Sequence, residues 1–73
     1  MKDPLQKLGV VVRLRRHELN LSQQELAARA GEMDRSYLSE IESGRKNVSF
    51  TVFLRLAAAL DLTPAEFMGR MEL

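Results

Sequence analysis

The apolar positions of this chain fall into a repeated local pattern. An apolar residue precedes a residue suited to cap a helix, and a second apolar residue lies five positions after the first. The instances are Leu21-Ser22 with Leu26, Met33-Asp34 with Leu38, Val48-Ser49 with Phe53, and Leu62-Thr63 with Phe67. Each fits a hydrophobic staple across a helix start, with the capping side chain accepting a bond from an N–H of the first turn that has no partner within the helix. Ser22 with Glu25 and Thr63 with Glu66 complete capping boxes, and Pro64 stands at a first helical position, where its missing N–H costs nothing. The pattern predicts helices over 23–30, 35–43, 50–60 and 64–71. Asp3-Pro4 opens an earlier helix running to about Glu18. Gly31 and Gly44 fall where the second and third should stop. No stretch shows sustained strand alternation. The expectation is a single all-α domain over residues 1–73, built from five short helices.

The core follows from the same spacing. Helix one carries apolar residues at 5, 8, 11, 12 and 19, with Leu14 off the stripe and Arg15 interrupting it. Phe53, Leu56, Ala57 and Leu60 are helically spaced in the fourth helix, and Leu26, Ala27, Ala30, Leu38 and Ile41 complete the set. Ala27 is small, as a close helix crossing requires.

Composition narrows the function. A chain of 73 residues buries only about 60% of the surface its unfolded form exposes, so partners are common at this size. There is no cysteine, which excludes disulfides and thiolate metal sites, and His17 is the only histidine. No metal or cofactor is expected. Neither a glycine-rich phosphate loop nor a nucleophile–base set is present, so catalysis is not expected. No apolar run approaches the ~20 residues that span a bilayer, and no secretion signal is visible, so the expected location is cytoplasmic. The net charge is only +1. Its distribution says more: Lys2, Lys7, Arg13, Arg15 and Arg16 crowd the first 17 residues against Asp3 alone, and Arg45-Lys46 form a second basic spot. A solvated, salt-bridged surface accounts for charge of this kind equally well.

The third predicted helix has two faces. Leu38 and Ile41 point inward, while Arg35, Ser36, Ser39, Glu40 and Ser43 lie on the other side. An α-helix fits the DNA major groove, and its first turn reaches base edges. Arg35 stands at that turn, where its planar fork suits guanine O6 and N7, although it reads equally as a solvated arginine. Ser36 can donate or accept, and Glu40 can accept from cytosine N4. Tyr37 either packs against the core or offers its edge to a thymine methyl or its hydroxyl to a phosphate. Gln23 and Gln24 open the second helix, whose free N–H groups suit a phosphate. Ser39 and the loop residues Arg45, Lys46 and Asn47 are further phosphate candidates, which give affinity without sequence information.

The segments Leu-Ser-Gln-Gln-Glu-Leu-Ala at 21–27 and Ser-Tyr-Leu-Ser-Glu-Ile-Glu-Ser-Gly-Arg at 36–45 resemble the phage-repressor and Cro type (XRE-like) of helix-turn-helix protein. The likeness runs over about residues 8–68. It implies a compact lambda-repressor-like domain that binds double-stranded DNA, with the third helix as recognition helix. Arg35, Ser36 and Glu40 then fall on base-reading positions, Gln23 on a phosphate position, and Arg16 with Glu42 on an internal salt bridge. Asp34-Arg35-Ser36-Tyr37 and Gly44-Arg45-Lys46-Asn47-Val48-Ser49 are similar to motifs of the small controller proteins of restriction–modification systems, which implies a homodimer on a palindromic operator, with RNA polymerase as a candidate partner. A generic repressor of the same fold and an antitoxin-like interaction module are the competing readings. One departure stands out. The turn between the second and third helices holds one residue more than the family usually has, and the staple pattern assigns the extra residue to Glu32 and the buried turn position to Met33. For a dimer surface the last helix offers Leu62, Phe67, Met68, Met71 and Leu73. Leu62 and Phe67 double as staple residues, so Met68, Met71 and Leu73 are the better candidates.

Overall fold

A computed structural model describes residues 3–73; Lys2, part of the basic amino-terminal run, lies outside them. The helices are α1 (Pro4–Glu18), α2 (Gln23–Arg29), α3 (Arg35–Glu42), α4 (Phe50–Ala59) and α5 (Pro64–Met71). The last residue of three predicted segments, Ala30, Ser43 and Leu60, serves as a C-cap rather than as helix.

Every helix start is capped by a side chain. Ser22 Oγ accepts from the Glu25 N–H at 3.0 Å while the Glu25 carboxylate accepts from the Ser22 N–H at 2.8 Å, and Thr63 with Glu66 repeats the arrangement. These bonds hold both glutamate carboxyls below their usual range, because the backbone N–H groups favour the charged form. Asp34 Oδ1 accepts from the Ser36 N–H at 2.7 Å, Ser49 Oγ from the Val52 N–H at 3.0 Å, and Asp3 Oδ1 from the Leu5 N–H at 2.8 Å.

Three of the five helix ends share one device. α1, α3 and α4 each close with a left-handed residue, Asn20, Gly44 and Asp61 respectively. The following N–H then bonds back to a carbonyl five residues earlier: Leu21 to Arg16, Arg45 to Glu40, and Leu62 to Ala57. This is the Schellman closure. α2 ends differently. Gly31 and Glu32 are both left-handed, at φ 81° and 59°, and the Met33 N–H reaches the Ala27 carbonyl six residues back at 2.8 Å. Glu32 is exposed, and Met33 packs against the core half-buried. The extra turn residue is therefore absorbed as a second left-handed residue.

The core gathers Leu8, Val11, Val12, Leu26, Ala27, Ala30, Leu38, Ile41, Leu56, Ala57 and Leu60, closed from below by Leu62, Phe67 and Met71. The last three correct the expected dimer surface. Phe67 is fully enclosed, its ring tilted against that of Phe53 at 4.8 Å between centroids, and Leu62 and Met71 are also buried within the single chain. The short loop after α4 turns α5 back over the core, and that direction consumes them. Met68 and Leu73 remain exposed. Arg15, which broke the stripe of α1, donates from Nε to the Leu60 carbonyl at 2.9 Å and so caps the end of α4.

Two contacts fix α1 against α3. A Cβ added to Gly9 would stand 2.5 Å from the Ile41 carbonyl oxygen and 2.6 Å from that of Glu42, so only glycine permits this crossing. Beside it, Arg16 Nε donates to Glu42 Oε2 at 2.8 Å and Nη2 to Oε1 at 3.0 Å, with both side chains buried. Arg16 Nη1 also donates to the Leu21 carbonyl at 2.9 Å, which ties the start of α2 to the same guanidinium.

Three stability measurements by chemical denaturation test this account. Gly9→Ala should cost about 1–3 kcal/mol through backbone overpacking. Glu32→Gly should stabilise by roughly 0.5–1 kcal/mol, because it relieves a left-handed β-carbon at some cost in chain entropy. Arg16→Met alone should cost about 3–5 kcal/mol by stranding the buried Glu42 carboxylate, and adding Glu42→Leu should recover more than half of that.

Candidate nucleic-acid interface

α3 owes its two faces to sequence spacing. Leu38 and Ile41 are buried, while Arg35, Ser36, Ser39 and Ser43 are exposed and Glu40 is half-buried. Asp34 caps the helix through Oδ1 without covering its first turn, so Arg35 and Ser36 project freely from it. The Ser43 hydroxyl donates to the Glu40 carbonyl at 2.9 Å and helps to finish the last turn. The result is a polar face whose leading residue is a free guanidinium on a helix fixed rigidly at its other end by Glu42.

Tyr37 takes the packing role of its two alternatives. Its ring packs half-buried against the core, and its hydroxyl donates to the Asn47 carbonyl at 3.3 Å. That bond links α3 to the loop carrying Arg45, Lys46 and Asn47, all three exposed. The Tyr37 hydroxyl is thus a direct tie between the recognition-helix candidates and the loop cations.

Gln23 is placed differently from an unencumbered phosphate ligand. It is half-buried, and its Nε2 donates to Glu42 Oε1 at 3.2 Å. One amide donor is committed to the Arg16–Glu42 pair, which leaves the other donor and the carbonyl oxygen. Gln24 is exposed. No buried side-chain polar atom lacks a partner among the described residues.

Sequence reasoning missed the Gln23–Glu42 bond and the capping role of Arg15. A polar residue placed off its expected face, as Arg15 is, was the available signal for the second. Nothing in the sequence signalled the first, because it depends on the rotamer Gln23 adopts once α1 and α3 have docked. A second missed cluster joins Glu18 to both Arg15 and Arg70 at 3.0 Å, clasping α1 to α5 and holding the Glu18 carboxyl below its usual range. No helix is long and apolar enough to cross a membrane, and no group of His, Cys, Asp or Glu is arranged to hold a metal ion, among the described residues.

Comparison with known proteins agrees with this geometry. A helix-turn-helix family model matches residues 12–67. The control protein C.MunI from a Mycoplasma species is 37% identical over 60 residues, covering 82% of this chain and 80% of its own. Among solved structures, the restriction-modification controller protein C.AhdI from Aeromonas hydrophila is 44% identical, with a TM-score of 0.81 over 86% of this chain and 94% of that one. The clp gene regulator ClgR from Corynebacterium glutamicum is 28% identical, with a TM-score of 0.91 over 97% of this chain and 74% of that one. With a capped α2, a left-handed turn and an α3 that presents a polar face, the chain belongs to the helix-turn-helix family.

Proposed function

We propose that this protein is a sequence-specific regulator of transcription of the restriction–modification controller type, acting in the cytoplasm as a homodimer on a palindromic operator. Its role is binding, not catalysis. The observation that carries the reading is the exposed first turn of α3, where Arg35 and Ser36 stand free on a helix locked by a buried ion pair. The likeness to C.MunI and C.AhdI supports the controller assignment over the wider family. A regulator of another gene set on the same fold is the second reading, favoured by the likeness to ClgR.

In this reading Arg35 enters the major groove and pairs with guanine, and Ser36 reads the neighbouring base. Glu40, half-buried further along α3, favours cytosine and rejects bases that offer an acceptor. Tyr37 acts mainly by holding the loop. Arg45, Lys46, Asn47 and Ser39 grip phosphates, joined by Gln24 and by the remaining amide donor of Gln23.

The test is footprinting and titration on DNA upstream of the protein's own gene. A protected two-fold site is expected, and its absence there and upstream of adjacent methyltransferase or nuclease genes would defeat the controller reading. Arg35→Ala should cost about 1–3 kcal/mol on the specific site and relax the choice of one base. Equal weakening on random DNA would show that Arg35 does not read sequence. Lys46→Ala should weaken both DNAs alike and lower the salt dependence by about one phosphate contact.

A further inference from the structure

Two large apolar side chains of α1 face water. Val10 is 40% exposed and Leu14 is 55% exposed. They stand four residues apart, so they are neighbours on the helix surface and form one short stripe. The stripe borders an open groove of about 560 Å³, lined by α1 and by the ends of α3 and α5, and the buried side chains of Val11 and Met71 lie beneath it. A second hollow of about 330 Å³ continues the groove along the same stripe as far as Glu18. None of the DNA-contacting candidates Arg35, Ser36, Glu40, Arg45, Lys46 and Asn47 lines either hollow.

Cations flank the stripe on both sides. Successive residues of an α-helix are turned by about 100°, which sets Lys7 to one side of Val10 and Leu14 and Arg13 to the other. Lys7 Nζ donates to the backbone carbonyl of Glu72 at 2.9 Å, a neutral partner that leaves its charge uncompensated. Arg13 is exposed and meets no carboxylate among the described residues. Arg70 adds a third cation, bridged to Glu18 at 3.0 Å. Of the carboxylates that line the larger hollow, Glu42 is spent on Arg16 and only Glu72 stands without an ion-pair partner. The groove is apolar along its middle and positive along its edges.

We propose that this groove receives an acidic amphipathic helix of another protein. Apolar side chains three or four residues apart on that helix cover Val10, Leu14 and Met71, and carboxylates to either side of them meet Lys7 and Arg13. Charge decides the occupant. A second copy of this chain would bring Lys7 and Arg13 of both copies together around a two-fold axis, like charge against like. A phosphate backbone would answer the cations but would set Val10 and Leu14 against a charged, hydrated surface. A small ligand is buried over most of its surface in its site, whereas this groove is open along its length. A helix needs only one face covered, and its acidic flanks remain in water where they are not paired. The inference goes beyond DNA binding and does not rest on it, since its test needs no operator.

Selection of a randomised peptide library, displayed on phage, against the folded full chain tests the proposal. Enriched peptides should carry aspartate or glutamate beside apolar residues at helical spacing. Added to the wild type, they should shift the amide resonances of Val10, Arg13 and Leu14. Leu14→Ser and Arg13→Glu should each raise the peptide dissociation constant by roughly tenfold or more, read by fluorescence anisotropy, with melting curves to confirm folding. Met68→Ser, at an exposed apolar side chain outside the groove, should leave it unchanged. Replacing the acidic residues of the peptide by lysine should abolish binding. A selection that enriches no peptide, only basic peptides, or only peptides that shift resonances elsewhere overturns the proposal, as does peptide binding indifferent to Arg13→Glu. If Leu14→Ser weakens DNA binding and leaves peptide binding intact, the groove belongs to the nucleic-acid surface and the proposal also fails.

Discussion

The placement of α3 depends on a buried guanidinium–carboxylate pair. Arg16 and Glu42 meet through two parallel bonds beside a backbone crossing that only Gly9 permits. Ion pairs removed from water give little net stability, but their geometry is strict, because a displaced partner leaves a bare charge in the core. Arg16 also holds the Leu21 carbonyl, and Glu42 also accepts from Gln23. One cluster therefore sets α1, the start of α2 and the end of α3 relative to one another. The apolar core alone would allow these short helices to slide, since most of its members are leucine, valine and alanine with interchangeable contacts.

Much of this architecture was legible in the sequence because capping is local. Ser22, Asp34, Ser49 and Thr63 each fix a helix start through atoms within three residues, and their spacing to the next apolar residue survives in the linear chain. Helix ends were less legible. Gly31 and Gly44 announced two of them, whereas Asn20 and Asp61 adopt the same left-handed conformation without glycine. The exposed polar face of α3 was likewise readable from Leu38 and Ile41.

What escaped the sequence is what folding assigns between distant residues. The apolar content of residues 62–73 suggested a partner surface, yet the direction of α5 spends Leu62, Phe67 and Met71 on the chain's own core. Conversely, α4 looked like ordinary core and carries the most exposed large apolar side chain, Phe50. Spacing picked out the inner residues Phe53, Leu56, Ala57 and Leu60, but with an apolar residue at nearly every position it gave no polar contrast to mark Phe50 as outward. Gln23 shows the same limit for polar groups: its type suits a phosphate, and its partner in the fold is a carboxylate 19 residues away.

The turn between α2 and α3 holds its additional residue while keeping both a packed turn side chain and the cap of α3. Glu32 is taken up as backbone handedness, while Met33 still docks in the core and Asp34 still caps α3. The cap on Asp34 sets the start of α3 by atoms within the helix's own first turn, not by the length of the turn before it. The additional residue leaves its mark in the backbone's local chirality, as two successive left-handed positions.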